Sequence, residues 1–139
     1  MEIHINFWGV VLGGIASMLI GSIYYADSVF GKFWKKQSRI DLKRFKKEMP
    51  WTMTQVFVYA LITSYVVAYF SCLYQNFYHS SWLSSGVVVS GVLFIGISAT
   101  TVIIHNTLNQ VHSKLIFITL GNRLLSLLAM GLIVGWLHP

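Results

Sequence analysis

Four apolar stretches, each long enough to cross a bilayer, alternate with polar segments along the 139 residues of this chain. A membrane-spanning helix needs about 20 mostly apolar residues, and the stretches lie at residues 5–26, 52–73, 85–105 and 115–137. The polar segment at residues 27–51 separates the first two stretches. This pattern predicts an all-α polytopic membrane protein, with a single domain built as a bundle of four transmembrane helices.

The composition favours a membrane protein over a soluble one. Hydrophobic residues make up 55% of the chain and charged residues only 10%, whereas a soluble domain carries about 25% charged residues. A chain with so few charges cannot cover its own surface with polar groups, so we expect lipid to cover much of it. The net charge of +6 would suit nucleic acid in a soluble protein. Because the charge is confined to one loop here, we expect anionic lipid headgroups as partners and no nucleic acid.

The basic residues predict the orientation of the chain. Eight of the ten Lys and Arg residues lie between Lys32 and Lys47, and loops rich in these residues stay in the cytoplasm. We therefore expect residues 27–51 to be cytoplasmic and both termini to be extracytoplasmic. The cations expected to contact anionic lipid are Lys35, Lys36, Lys43, Arg44, Lys46 and Lys47.

The basic segment has a helical pattern of its own. Ser38 and Asp41 have the spacing of a capping box, and Leu42 and Phe45 recur at helical spacing. Pro50 is expected to end the segment. The pattern predicts a short amphipathic helix on the inner membrane surface. The simplest role of this segment is to fix the orientation of the chain in the membrane. The alternative is that it forms a binding site for a specific lipid or protein.

Small residues recur every four positions in the first and fourth stretches. Helices in lipid associate mainly through close backbone contact, which such stripes permit. We expect the stripes to pack helices within one chain or between copies, and four short helices favour a homo-oligomer. The stripe residues are Gly9, Gly13, Ser17 and Gly21 in the first stretch and Gly131 and Gly135 in the fourth.

Arg123 is a charged residue inside the fourth stretch, about eight residues from its start. Such a charge normally faces the bundle interior or a water-filled cavity. Ser126 shares a helix face with Arg123, and Ser98 shares one with His105. We expect a polar cluster in the cytoplasmic half of the bundle, with Asp27 as the carboxylate partner of Arg123. Its predicted members are Arg123, Asp27, Tyr24, His105, Asn106 and Asn122.

Two interpretations of this cluster stay open. It can be an ion pair that only fixes helix register, or a site for a solute or a proton. Catalytic and metal-binding patterns are not visible, since His105 and His112 are too far apart on one helix to share a metal. Paired carboxylates for acid–base chemistry are also missing from the spans. We therefore predict that the protein is not an enzyme and uses no metal and no cofactor.

The run Gly21-Ser-Ile-Tyr-Tyr-Ala-Asp-Ser-Val-Phe-Gly-Lys-Phe-Trp34 resembles a pattern of the membrane family catalogued as domain of unknown function 1761. That pattern is Gly-x-x-Trp-Tyr-x-x-x-x-Phe-Gly-x-x-Trp. This chain departs from the family at Tyr24, where Trp is usual, and at Asp27, where a small residue or Pro is common. The tail from Asn122 to Trp136 is similar to the last span of the family. The resemblance implies a bacterial integral membrane protein with four spans and no established activity.

Three classes of function follow from these observations. A small oligomeric transporter or channel for a solute or ion is favoured, because Arg123 with polar neighbours resembles the lining of a pathway. A non-catalytic accessory or scaffold protein, binding a partner through the glycine stripes, is the alternative. A membrane enzyme is the least favoured. The expected location is the bacterial plasma membrane.

Overall fold

The computed structural model describes residues 4–38 and 41–138, and this part of the chain contains helices and connections but no strand. Four continuous helical segments are long and apolar enough to cross a membrane, which confirms the predicted all-α fold with four spans. The helices are α1 Phe7–Tyr24, α2 Gly31–Gln37, α3 Leu42–Tyr78, α4 Trp82–Leu93, a π-helix Phe94–Ala99, α5 Thr100–Leu108 and α6 Ser113–Trp136.

α3 begins within the basic segment. The Asp41 side chain accepts hydrogen bonds from the backbone N–H groups of Lys43 and Arg44, at 3.0 and 3.4 Å. Asp41 is therefore the N-cap, and the prediction that Ser38 fills this role is wrong. Ser38 instead follows the last residue of α2.

Pro50 lies inside α3, so the prediction that it ends a separate surface helix is also wrong. Proline removes one backbone donor from a helix. Nearby, the hydroxyls of Thr52 and Thr54 donate to the carbonyls of Glu48 and Pro50, at 3.0 and 2.9 Å. The basic turns are thus continuous with the second span.

The third span changes its winding between α4 and α5. Phe94–Ala99 form a π-helix, whereas the apolar stretch predicts one continuous α-helix. The Thr100 hydroxyl lies 3.0 Å from the carbonyl oxygens of Gly96 and Ile97 and can donate to either. Beyond this point α5 contains no buried residue. The third span therefore packs closely only through its first half.

The two ends of the bundle are packed differently. One end of the bundle, which we call the glycine end, contains the beginnings of α1 and α4 and the end of α6. The opposite end, which we call the basic end, contains α2, the first turns of α3, and α5. At the glycine end a Cβ on Gly86 would collide with the carbonyl oxygen of Gly131. A Cβ on Gly135 would lie 2.7 Å from the carbonyl oxygen of Trp82. The α4–α6 crossing is thus a contact between backbones.

The glycines of α1 also make contacts within the chain. A Cβ on Gly13 would collide with the Ser64 hydroxyl of α3, and one on Gly14 would lie 2.9 Å from Leu61 Cδ2. The same atom on Gly9 would lie 3.6 Å from Leu137 Cβ, an ordinary contact. Two small apolar clusters complete the core, Ala60, Val67, Leu127 and Met130 in one and Val10, Ala68 and Val134 in the other.

Candidate functional site

A cavity of about 200 Å³ has both polar and apolar lining residues, and each of the four spans contributes to it. It opens at the surface of the bundle, where Arg123 and Tyr59 are exposed. α1 and α3 form one side, and the π-helix and α6 form the other. Apolar residues such as Leu127 and Met130 complete the wall. The polar residues that line the cavity are Ser17, Tyr59, Thr63, Ser98, Arg123 and Ser126.

Arg123 is the charged residue of this lining. It lies about 15 Å from the start of α6, at 1.5 Å per residue, and so near the middle of that 24-residue helix. Within residues 4–38 and 41–138, Arg123 forms neither an ion pair nor a hydrogen bond. The cavity therefore carries a positive charge that the described residues do not compensate.

The hydroxyl groups of the lining add to the supply of hydrogen-bond donors. Arginine can only donate, whereas a hydroxyl can both donate and accept. Thr63 already donates to the Tyr59 carbonyl, at 2.9 Å, so only its lone pairs stay available. Ser17 and Ser98 are half-buried and Ser126 is buried. The arrangement suits a small occupant that accepts hydrogen bonds and carries negative charge.

Asp27 is not the partner of Arg123, and that prediction is wrong. Its carboxylate accepts a hydrogen bond from Lys35 Nζ at 2.7 Å. Asp27 lies in the turn after α1, with 57% of its side chain exposed. The hydrogen bond from Lys35, helped by the charges of Lys35 and Lys32, holds the pKa of Asp27 below its ordinary value. This carboxylate is therefore engaged outside the spans.

Tyr24 and Asn122 lie outside the cavity lining, and each faces a glycine of the neighbouring helix. A Cβ on Gly121 would collide with the Tyr24 hydroxyl, and one on Gly21 would lie 4.0 Å from Asn122 Oδ1. Asn122 Oδ1 is buried and accepts no hydrogen bond from the described residues. Gly21 and Gly121 thus make room for polar side chains where α1 crosses α6.

His105 and Asn106 also lie outside the lining, on α5. The Asn109 amide donates to the His105 carbonyl at 2.8 Å. Of the six predicted cluster residues, Arg123 alone lines the cavity. Tyr59 and Thr63 were not among the predicted residues, although their four-residue spacing in the second span places them on one helix face.

The six cations expected to contact lipid lie on α2 and the first turns of α3. Two of them take part in ion pairs, Lys35 with Asp27 and Arg44 with Glu48 at 2.9 Å. The remaining four are exposed: Lys36, Lys43, Lys46 and Lys47. Their contact with anionic lipid stays a prediction.

Aromatic residues join α1 to α2. The ring centroids of Tyr24 and Phe30 are 4.8 Å apart, and those of Tyr25 and Trp34 are 5.6 Å apart. A Cβ on Gly31 would collide with the Tyr25 carbonyl oxygen, so the turn requires glycine at this position. These side chains form an aromatic corner and account for the spacing of the motif seen in the sequence.

Four apolar helices of spanning length, which together line one cavity, define a multi-pass membrane protein. Residues 8–135 match the family described as Protein of unknown function (DUF1761), and the chain belongs to that family. No curated protein and no solved structure matches the chain. Because the family has no assigned activity, the function has to be argued from the cavity itself.

Proposed function

We propose that this protein binds a small anion in the Arg123 cavity and carries it across the bacterial plasma membrane. The supporting observation is the position of Arg123, near the middle of a spanning helix and without an acidic partner among the described residues. The role is transport rather than catalysis, with no cofactor.

The cost of an intramembrane charge supports an anionic ligand. An arginine at the centre of a spanning helix costs about 2.5–3.5 kcal/mol on insertion scales. An ion pair that only fixes helix register would need a carboxylate, and Asp27 is bound to Lys35. A mobile anion, which also accepts hydrogen bonds from Ser17, Ser98 or Ser126, would supply the missing counter-charge.

The size of the cavity restricts the ligand. Its volume of about 200 Å³ is below the roughly 300–1,000 Å³ of pockets that hold drug-sized molecules. A halide, a small oxyanion or a short carboxylate fits this space.

The packing of the two ends supports a carrier with one open side. Backbone contacts close the glycine end at Gly86 and Gly131, whereas α5 at the basic end has no buried residue. With the basic end in the cytoplasm, as its charge predicts, the cavity would be accessible from inside, and both termini would be extracytoplasmic.

A partner-binding scaffold is less well supported. Gly13, Gly131 and Gly135 face other helices of the same chain, so these stripe residues are already occupied. A homo-oligomer stays an expectation that does not depend on these glycines.

Anion flux from proteoliposomes tests the proposal. Vesicles loaded with chloride, phosphate or acetate should lose at least one of these anions faster than protein-free vesicles. Arg123→Gln should lower that flux about 10- to 100-fold, because a hydrogen bond to a charged group contributes about 1.5–3 kcal/mol.

The matched control is Arg44→Gln, which removes the same charge from an exposed pair outside the cavity. It should leave the flux unchanged. Arg123→Gln should still fold, since no ion pair among the described residues is broken, and Ser98→Ala provides a milder change in the same cavity. Equal flux with and without Arg123, or equal losses in both arginine variants, would contradict the proposal.

A further inference from the structure

A second concave surface lies at the basic end, between α2 and the start of α6. It has a volume of about 450 Å³ and is lined by Phe30, Phe33, Lys114, Phe117 and Ile118. We call it the phenylalanine groove. It shares no lining residue with the Arg123 cavity, so an inference about it is independent of the transport proposal.

The α6 wall of this groove changes from charged to apolar along the helix. Lys114 is the second residue of α6, and Phe117 and Ile118 follow it by three and four residues, which places all three on one face. Phe117 is 73% exposed. A cation thus lies at the membrane-surface end of the groove, and exposed apolar surface lies one turn deeper.

The α2 wall repeats this combination. Phe33 lines the groove, and Lys36 follows it by three residues on the same side of the helix. Neither Lys36 nor Lys114 forms an ion pair with a residue in the described ranges. Their charges are therefore available to a ligand, in contrast to those of Lys35 and Arg44.

We infer that the phenylalanine groove binds one anionic phospholipid of the adjacent leaflet. Its phosphodiester lies at Lys114, and an acyl chain runs along Phe33, Phe117 and Ile118. The order of charge and apolar surface in the groove matches the order of headgroup and chain in a lipid. An extended peptide fits less well, because its backbone polar groups would lie against lipid without partners.

Lipid binding measured by native mass spectrometry of the detergent-purified full chain tests this inference. The probes are phosphatidylglycerol, which is anionic, and phosphatidylcholine, which is neutral. The first phosphatidylglycerol should bind about fivefold more tightly than phosphatidylcholine, as expected for one cation near a membrane surface. Lys114→Gln should remove this preference and leave phosphatidylcholine binding unchanged.

Two further variants complete the test. Lys46→Gln removes an exposed charge of α3 that lies outside the groove lining, and it should retain the preference. Phe117→Ser should weaken the binding of both lipids, because it removes apolar surface from the groove wall. Since Lys114 and Phe117 are exposed, both variants should fold. Equal binding of the two lipids to the unmodified protein, equal effects of Lys114→Gln and Lys46→Gln, or no effect of Phe117→Ser would overturn the inference.

Discussion

The glycine end and the basic end of this bundle differ in how closely the same helices pack. At the glycine end α4 approaches α6 so closely that Gly86 and Gly131 touch through their backbones. Farther along the same span, a Cβ on Gly91 or Gly96 would meet nothing within 4 Å. Because helices in lipid associate through close backbone contact, a glycine adds to packing only where a second helix lies against it. In the third span, close glycine contacts are therefore confined to the glycine end.

The Arg123 cavity draws on the looser part of the third span. The π-helix contributes Ser98 to the cavity, and α6 contributes Arg123 near its middle. π-helices are frequent at functional sites, and this one lies where the third span leaves the packed part of the bundle. Close packing at the glycine end, together with a charge near the middle of α6, supports the proposed transport of a small anion.

The largest effect should come from comparing two glycines of α4. Gly86→Ala should lower the free energy of unfolding by about 1–3 kcal/mol, because the new methyl group forces α4 away from α6. Gly91→Ala makes the same chemical change in open space and should stay within about 0.5 kcal/mol. Denaturation midpoints in detergent measure both. Equal destabilisation would show that the two halves do not differ in packing.

The smallest effect should come from the charges around Asp27. A double-mutant cycle of Asp27→Asn with Lys35→Gln should give a small coupling, whereas a cycle with Arg123→Gln should give none. The pKa of Asp27 is lowered from an ordinary value of 3.8. The Asp27–Lys35 pair therefore stabilises the fold fully at pH values above 3.8. Its contribution is lost as the pH falls through the folded-state pKa. A measurable coupling between Asp27 and Arg123 at neutral pH would instead support the ion pair predicted from the sequence.

The overall fold could be predicted from the sequence because its cause is local. Each span is a long apolar stretch, and hydrophobic length alone indicates a membrane helix. Arg123 was also identified, since a charge in such a stretch is costly wherever its neighbours lie. Both inferences depend on the composition of one segment at a time.

Which other residues join the site depends on how the helices are rotated about their axes relative to one another. Asp27 was predicted to pair with Arg123 only because both were expected at a similar depth in the membrane. In the structure, Lys35 binds the Asp27 carboxylate. Tyr59 and Thr63 were missed because their spacing shows that they share a helix face, but not which neighbouring helices that face meets. The π-helix at Phe94–Ala99 was also not predicted, because hydrophobic length does not distinguish one turn of π-helix from α-helix.

The most direct test of the central claim is whether water reaches Ser98. In a Cys72→Ala background, which removes the buried free thiol, Ser98→Cys should react with a membrane-impermeant anionic thiosulfonate, because only a hydrated thiol forms the reactive thiolate. Ile97→Cys, at a neighbouring position whose native side chain is 60% exposed on the outside of the bundle, should stay unmodified in lipid. Arg123→Gln should slow the reaction of Ser98→Cys with the anionic reagent. Equal reactivity of the two cysteines, or no reaction at either, would contradict a hydrated, positively charged cavity inside the membrane.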